Sequence, residues 1–215
     1  MKKNLLNILL YSCLSLFILL LILVLTVDVK INPATDYGVG LYTINEMFLV
    51  NFDNLEVWDL VSDAFMYASL LVVLFFACIG AYQLFKNKSI KKVDSRILLL
   101  GCFMVLLAVV WILFDEIIVV NYRPIYIEGQ LEGSFPSTHV LIVTFIYLVM
   151  GQFLNMENKS KLFKYVYYTL ACFIIVFTSL ARIMSLMHWF TDVLGGVLLG
   201  LTLYFSYLKI LKKLN

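Results

Sequence analysis

Residues that could carry acid–base and phosphoryl chemistry are concentrated in the second half of the chain. His188 and Asp192 are four residues apart, so on a helix they share one face, where a carboxylate can orient an imidazole. The other histidine of the sequence, His139, supplies a second imidazole that can protonate a leaving group. Arg123 and Arg182 have planar guanidinium groups that fit phosphate oxygens bidentately. These residue types indicate phosphoryl transfer without a metal.

Neutral hydrogen-bond donors extend this set. Ser137 lies two residues before His139, at the predicted start of a helix. The backbone N–H groups at a helix N-terminus favour an anion, and the serine hydroxyl adds a further donor. The sequence therefore predicts an anion-binding position beside the imidazoles.

The elements that position these residues must lie in a membrane. The chain has 215 residues, of which 63% are hydrophobic and 14% charged, whereas soluble domains have about 45–50% apolar and about 25% charged residues. This composition excludes a soluble globular protein and a disordered one. The net charge of +2 argues against nucleic-acid binding. We predict one integral membrane domain over residues 1–215.

Hydropathy predicts an all-α polytopic membrane protein with six transmembrane helices, because each apolar stretch is about long enough to cross a bilayer. A loosely amphipathic stretch, Leu41–Phe52, predicts an outer interfacial helix between the first and second spans. The predicted spans are Asn4–Val27, Ala64–Phe85, Ile97–Val120, His139–Met156, Tyr165–Ala181 and Phe190–Leu208.

The charge distribution predicts the orientation. With both termini cytoplasmic, Lys30, Arg123 and Arg182 are the basic residues left outside, and the other basic residues lie inside. The acidic segment Asp28–Asp63 is then external. We expect the protein in the cytoplasmic membrane, with the candidate site toward the outer face.

At these residues the sequence resembles the type 2 phosphatidic acid phosphatase family, whose members are six-span membrane enzymes with three motifs. Residues 136–139, Pro-Ser-Thr-His, match the second motif, P-S-x-H. Arg182, His188 and Asp192 keep the spacing of the third motif, although Ala181 replaces its serine. Residues 123–124, Arg-Pro, match the end of the first motif.

The resemblance implies a role for each motif residue. His188 would be the nucleophile that forms a phosphohistidine, Asp192 would orient it, and His139 would be the general acid. Water would then attack the phosphohistidine, and no metal or other cofactor is expected. The groups that would hold the phosphoryl oxygens are Arg123, Ser137, the backbone of Thr138, and Arg182.

Glu116 departs from the family pattern, because it occupies the position of the first-motif lysine. Glu116 is nevertheless one of the predicted substrate-binding residues. Seven residues make about two helical turns, so Glu116 is expected on the same face as Arg123. One alternative is that Glu116 pairs with Arg123 or Arg182, and another is that its side chain faces away from them. A third is that this residue reflects a different substrate, and a fourth is that the activity has been lost. The sequence leaves these alternatives open.

The predicted function is that of a lipid-phosphate phosphatase. The expected partners are membrane lipids and a lipid monophosphate or diphosphate, such as undecaprenyl diphosphate, phosphatidic acid or phosphatidylglycerol phosphate. Two alternatives are a phosphotransferase with another acceptor and a non-catalytic lipid-binding member of the family. A zinc site made of His139, His188 and an acid is a weaker alternative, because the arginines would repel a cation.

Overall fold

The computed structural model describes residues 2–49, 53–127, 129–154 and 159–214. Seven α-helices dominate these ranges, together with one two-stranded antiparallel sheet in which Lys30 pairs with Val39. The helices are α1 (Lys2–Thr26), α2 (Tyr42–Glu46), α3 (Leu55–Asn87), α4 (Ser95–Trp111), α5 (Thr138–Phe153), α6 (Lys161–Met184) and α7 (Phe190–Leu214). The strands are β1 (Lys30–Ile31) and β2 (Gly38–Val39).

The protein is an all-α integral membrane protein, as predicted. Within the described ranges, five helices are long and apolar enough to cross a bilayer: Asn4–Thr26, Leu55–Asn87, Ser95–Ile117, Lys161–Met184 and Phe190–Leu214. The apolar helix α5 has 16 residues, which is shorter than the roughly 20 that a span needs. The predicted count of six spans therefore stays a prediction.

Two predicted boundaries are wrong. The second apolar helix begins at Leu55 rather than at about Ala64, so Asp59 and Asp63 lie in its first turns. The interfacial helix predicted over Leu41–Phe52 is reduced to the five residues of α2, and residues 50–52 of that prediction lie outside the described ranges. The short helix packs on the bundle: Asn45 is buried and exchanges two hydrogen bonds of 3.0 Å with Thr191 at the start of α7.

The third apolar helix also differs from the expected regular span. It changes from α-helix to a π-helical turn at Ile112–Ile117 and ends there, three residues before the predicted end at Val120. A π-turn contains one more residue per hydrogen-bonded ring than an α-helix, so it changes the face that later residues present.

Aromatic and aliphatic side chains of α1, α4, α5 and α7 form the main core. The rings of Phe103 and Phe145 stack with centroids 5.3 Å apart, and Tyr207 packs edge-on against both. Large apolar side chains on α3 and α6 remain exposed, as expected of surfaces that contact lipid.

Close contact between α5 and α7 depends on glycines of α7. A Cβ atom at Gly196 would lie 2.6 Å from the carbonyl oxygen of Ser137, and one at Gly200 would lie 2.8 Å from Cβ of Thr144. Small residues at such spacing let transmembrane helices approach closely. The start of α5 is thereby held against the first turns of α7.

Candidate active site

Two loops at one end of the bundle form the candidate site. The loop between α4 and α5 folds back on itself, with Tyr122 bridged to Gly133 and the N–H of Arg123 bonded to the carbonyl of Glu132. The loop between α6 and α7 joins it, because Nε1 of Trp189 donates a 2.7 Å hydrogen bond to the Tyr122 carbonyl. The ends of α3 and α5 complete this region.

His188 has one ring nitrogen fixed by the backbone. Its Nδ1 lies 2.8 Å from the carbonyl oxygen of Ser134. A carbonyl only accepts, so Nδ1 carries the proton in the neutral ring and Nε2 carries the lone pair. Burial lowers the pKa of His188 well below its ordinary value, and the positive charge of Arg182 lowers this pKa further.

Asp192 does not make the expected hydrogen bond to His188. Its Oδ2 is 3.9 Å from Nδ1 of His188 and accepts instead the backbone N–H of Trp189, at 3.0 Å. Its Oδ1 accepts from Nδ2 of Asn121 at 3.1 Å. Asp192 is fully buried, caps the start of α7 and ties the two loops together.

His139 and Arg182 share an acidic partner on α3. Nε2 of His139 lies 2.8 Å from Oδ1 of Asp63. Arg182 is nearly fully buried and donates from Nη1 to Asp59 and, at 3.2 Å, to Oγ of Ser62. The same nitrogen is 3.9 Å from Asp63. One turn of α3 therefore holds both an imidazole and a guanidinium.

Arg123 is paired within its own loop. Its Nη2 forms an ion pair with Glu132, and its Nη1 contacts the sulfur of Met187 at 3.2 Å. The partner Glu132 is 53% exposed, so water screens this ion pair. The guanidinium thus lies between the two site loops.

A cavity of about 810 Å³ brings the predicted residues together. Ser137 and Asp192 do not line it, although both are fully buried beside it. The predicted site residues that do line the cavity are Glu116, Arg123, Thr138, His139, Arg182 and His188.

Several buried donors have no hydrogen-bond partner among the described residues. They are Nε of Arg123, Nε of Arg182 and Oγ of Ser137. Ser137 immediately precedes α5 but makes no side-chain capping bond. Buried polar groups are normally hydrogen-bonded. Unsatisfied donors beside a cavity are suited to an anion with several oxygen atoms.

Glu116 lines this cavity but is not on a helical face shared with Arg123. The helix ends at Ile117, so Arg123 follows it in an irregular segment and the expected two-turn relationship is wrong. Glu116 is exposed and makes no ion pair within the described ranges. Arg123 and Arg182 are paired instead with Glu132 and Asp59.

Several site residues were not predicted. One group lies at the start of an apolar helix, where Ser62 and Asp63 follow Asp59 by three and four residues. This is the spacing of residues on one helical face. That pattern was available in the sequence. The contacts of Asn121 and Ser134 depend on loop conformation, and no sequence pattern marks them.

No cluster of three or more His, Cys, Asp or Glu side chains that could hold a metal ion is found within the described ranges. The carboxylates nearest the imidazole and guanidinium groups are engaged with them. The expectation that the reaction needs no metal stays a prediction.

Comparison with known proteins finds one matching family model and one similar curated protein. The model of the PAP2 superfamily matches residues 116–215, which include His139, His188 and Asp192. Residues 116–215 of the chain thus resemble the PAP2 superfamily. The chain is 37% identical over 87 residues to phosphatidylglycerophosphatase B of Bacillus subtilis (strain 168). The match covers 40% of this chain and 41% of that relative, so it spans about two fifths of the relative's length.

A solved structure extends the likeness of the fold to nearly the whole chain. The crystal structure of a transmembrane PAP2-type phosphatidylglycerolphosphate phosphatase from Bacillus subtilis aligns with a TM-score of 0.62. The alignment covers 96% of this chain and 97% of that chain, at 22% sequence identity. The two proteins therefore share a fold.

Proposed function

We propose that this chain is a member of the PAP2 superfamily and a membrane-embedded phosphatase that hydrolyses a lipid monophosphate or diphosphate through a phosphohistidine. The observation that carries the proposal is the juxtaposition of two imidazoles and two guanidinium groups around one cavity. The hydrogen bond between Nδ1 of His188 and the Ser134 carbonyl supports a nucleophilic Nε2. The name of the related phosphatidylglycerophosphatase B supports a lipid phosphate as the substrate.

In the first step, Nε2 of His188 attacks phosphorus. The bond between phosphorus and the leaving oxygen breaks, its electron pair goes to that oxygen, and His139 donates a proton there. Arg123 and Arg182 stabilise the charge on the phosphoryl oxygens. Ser137 and the first backbone N–H groups of α5, beginning at Thr138, add neutral donors.

In the second step, water attacks the phosphohistidine. Neutral His139 accepts a proton from this water, the phosphorus–nitrogen bond breaks, and its electrons return to Nε2 of His188. A lipid monophosphate thus gives the dephosphorylated lipid and inorganic phosphate, whereas a lipid diphosphate gives a lipid monophosphate and inorganic phosphate. Asp192 supports the step indirectly, because it holds the start of α7 and therefore the His188 loop.

The basic residues support an outward-facing site. The candidate site lies at the end of the bundle opposite to both termini, since Lys209 near the C-terminus bonds Tyr11 near the N-terminus. The positive-inside rule therefore supports an orientation with the termini in the cytoplasm and the cavity at the outer face of the cytoplasmic membrane.

The test measures phosphate release from phosphatidic acid, phosphatidylglycerol phosphate and undecaprenyl diphosphate in detergent. Wild type, His188→Ala and a remote control, Cys102→Ala, are compared; Cys102 lies on the exposed side of α4. We expect activity in wild type and the control, and a loss of at least about 10³-fold in His188→Ala. Phosphate transfer to a lipid acceptor without free phosphate would favour a phosphotransferase. Equal activity of wild type and His188→Ala would refute the proposal.

A further inference from the structure

The first turns of α3 hold two candidate catalytic groups at once. Asp59, Ser62 and Asp63 lie on one face of the helix, and the Ser62 side chain is fully buried there. Asp59 and Ser62 contact Arg182, whereas Asp63 contacts His139. The sequence motifs of the family region, residues 116–215, do not include α3.

We propose that Asp63 is a positioning residue for His139: it orients the imidazole and holds the proton on Nε2. This inference rests on the proposed phosphatase function. The distance of 2.8 Å between Oδ1 of Asp63 and Nε2 of His139 is that of a charge-assisted hydrogen bond. The contact is partly buried, with side-chain exposures of 19% for His139 and 30% for Asp63, so it is less screened than a surface pair.

The contact determines which nitrogen of His139 serves the substrate. With Nε2 bound to Asp63, the ring nitrogen that is left for the substrate is Nδ1. In the first step Nδ1–H donates its proton to the leaving oxygen, and the ring stays protonated on Nε2. In the second step Nδ1 accepts the proton of the attacking water. Asp63 accepts a hydrogen bond in both steps and itself exchanges no proton.

The charges around His139 explain why a carboxylate is needed. Burial disfavours a protonated imidazole at His139, and the cations Arg182 on α6 and Arg123 in the loop after α4 disfavour it further. The other titratable groups that line the same cavity are His188, Asp115, Glu116, Tyr122 and Glu132. Asp59 offsets part of this positive charge, but it is bound directly to Arg182. Asp63 is the carboxylate that contacts the ring itself. Without it, the protonated form of His139 loses its direct counter-charge.

The experiment compares two substrates with different leaving groups. A lipid phosphate has a poor leaving group, an alkoxide, which requires a proton in order to leave. An aryl phosphate with an acidic phenol has a leaving group that departs without a proton. For Asp63→Asn we expect kcat on the lipid phosphate to fall about 10- to 100-fold. On the aryl phosphate, kcat of Asp63→Asn should fall less than about 3-fold. The alkaline limb of the pH–rate profile should move to lower pH, because less His139 is protonated.

Glu56→Gln is the matched control. Glu56 lies about two turns before Asp63 on α3, is exposed, and its replacement removes the same charge from the same helix. It should leave both rates and the pH profile unchanged. If Asp63→Asn lowers both rates equally with an unchanged pH profile, Asp63 is merely structural and the inference is overturned.

A second variant covers the case in which Asp63→Asn does not fold. Asp63→Glu retains the carboxylate but lengthens the side chain by one methylene. It should keep the alkaline limb in place and lower the lipid-phosphate rate more than the aryl-phosphate rate; equal lowering would contradict the inference. A wild type inactive on both substrates would refute the proposed phosphatase, and this inference with it.

Discussion

The carbonyl oxygen of Ser134 and Nδ1 of His188 are 2.8 Å apart, and this contact selects the tautomer of the histidine. The carbonyl belongs to the loop before α5, while the imidazole belongs to the loop before α7. A backbone acceptor thus performs the orienting role that spacing alone had given to the Asp192 carboxylate. Asp192 acts on the helix start instead, through the N–H of Trp189.

The lowered pKa of His188 predicts a loss of stability in mild acid. The folded state keeps this ring neutral, whereas the unfolded chain protonates it below a pH of about 6.5. Stability is therefore complete above that pH and falls as the pH decreases, by at most about 1.4 kcal/mol per pH unit from this group. Thermal unfolding in detergent between pH 7.5 and pH 5 should show a smaller decrease in Tm for His188→Gln than for wild type. Parallel decreases would contradict the assignment.

Replacing Gly196 by alanine should separate α5 from α7. The new Cβ would lie 2.6 Å from the Ser137 carbonyl, so a backbone must shift. We expect a destabilisation of about 1–3 kcal/mol and reduced phosphate release. Gly101→Ala on α4 is the matched control, because a Cβ there has no heavy atom within 4 Å among the atoms described. Similar Tm values for the two variants would disprove the close-contact explanation.

A charge reversal at Glu116 should strengthen binding of an anionic substrate. Glu116 lines the cavity, is exposed and has no ion pair in the described ranges, so Glu116→Lys should change stability by less than about 0.5 kcal/mol. A two-charge change at this wall is worth about 1 kcal/mol, or about a 5-fold decrease in KM for a lipid phosphate. Glu116→Gln should produce a smaller decrease. A higher KM for the lysine variant would show that the carboxylate attracts a cationic part of the substrate.

Chelation should leave the activity intact. The proposed steps use imidazole and guanidinium groups, and Arg123 and Arg182 would repel a divalent cation from the cavity. Phosphate release measured before and after prolonged treatment with EDTA should agree within about 2-fold, the scatter expected of context-dependent effects. Loss of activity that returns with Zn²⁺ or Mg²⁺ would establish a metal requirement.

The sequence was informative where chemistry follows from residue type and spacing. His139, Arg182 and His188 line the same cavity although they belong to three separate segments of the chain. Hydropathy also identified the apolar helices, because burial in lipid requires long uninterrupted apolar stretches.

The sequence was less informative where charge obscured helical structure. Asp59 and Asp63 excluded the start of α3 from the predicted span, although their four-residue spacing fits one helical face. The π-turn at Ile112–Ile117 has no hydropathy signature, so the position of Glu116 relative to Arg123 was not predictable. Contacts made by backbone groups, such as the Ser134 carbonyl, depend on loop conformation rather than on residue type.

The shortness of α5 makes bilayer thickness a variable of the proposed reaction. The end of α5 that is farther from the candidate site is level with the start of α4, since Arg96 bonds the Gln152 carbonyl, and its 16 residues extend only about 24 Å toward the site. Ser137 correspondingly lies against Gly196, about 9 Å along α7 from Phe190. In the proposed phosphatase, the phosphate group therefore has to pass the ends of the longer helices to reach this depth. A thicker membrane would lengthen that path and slow turnover without altering a single residue of the candidate site.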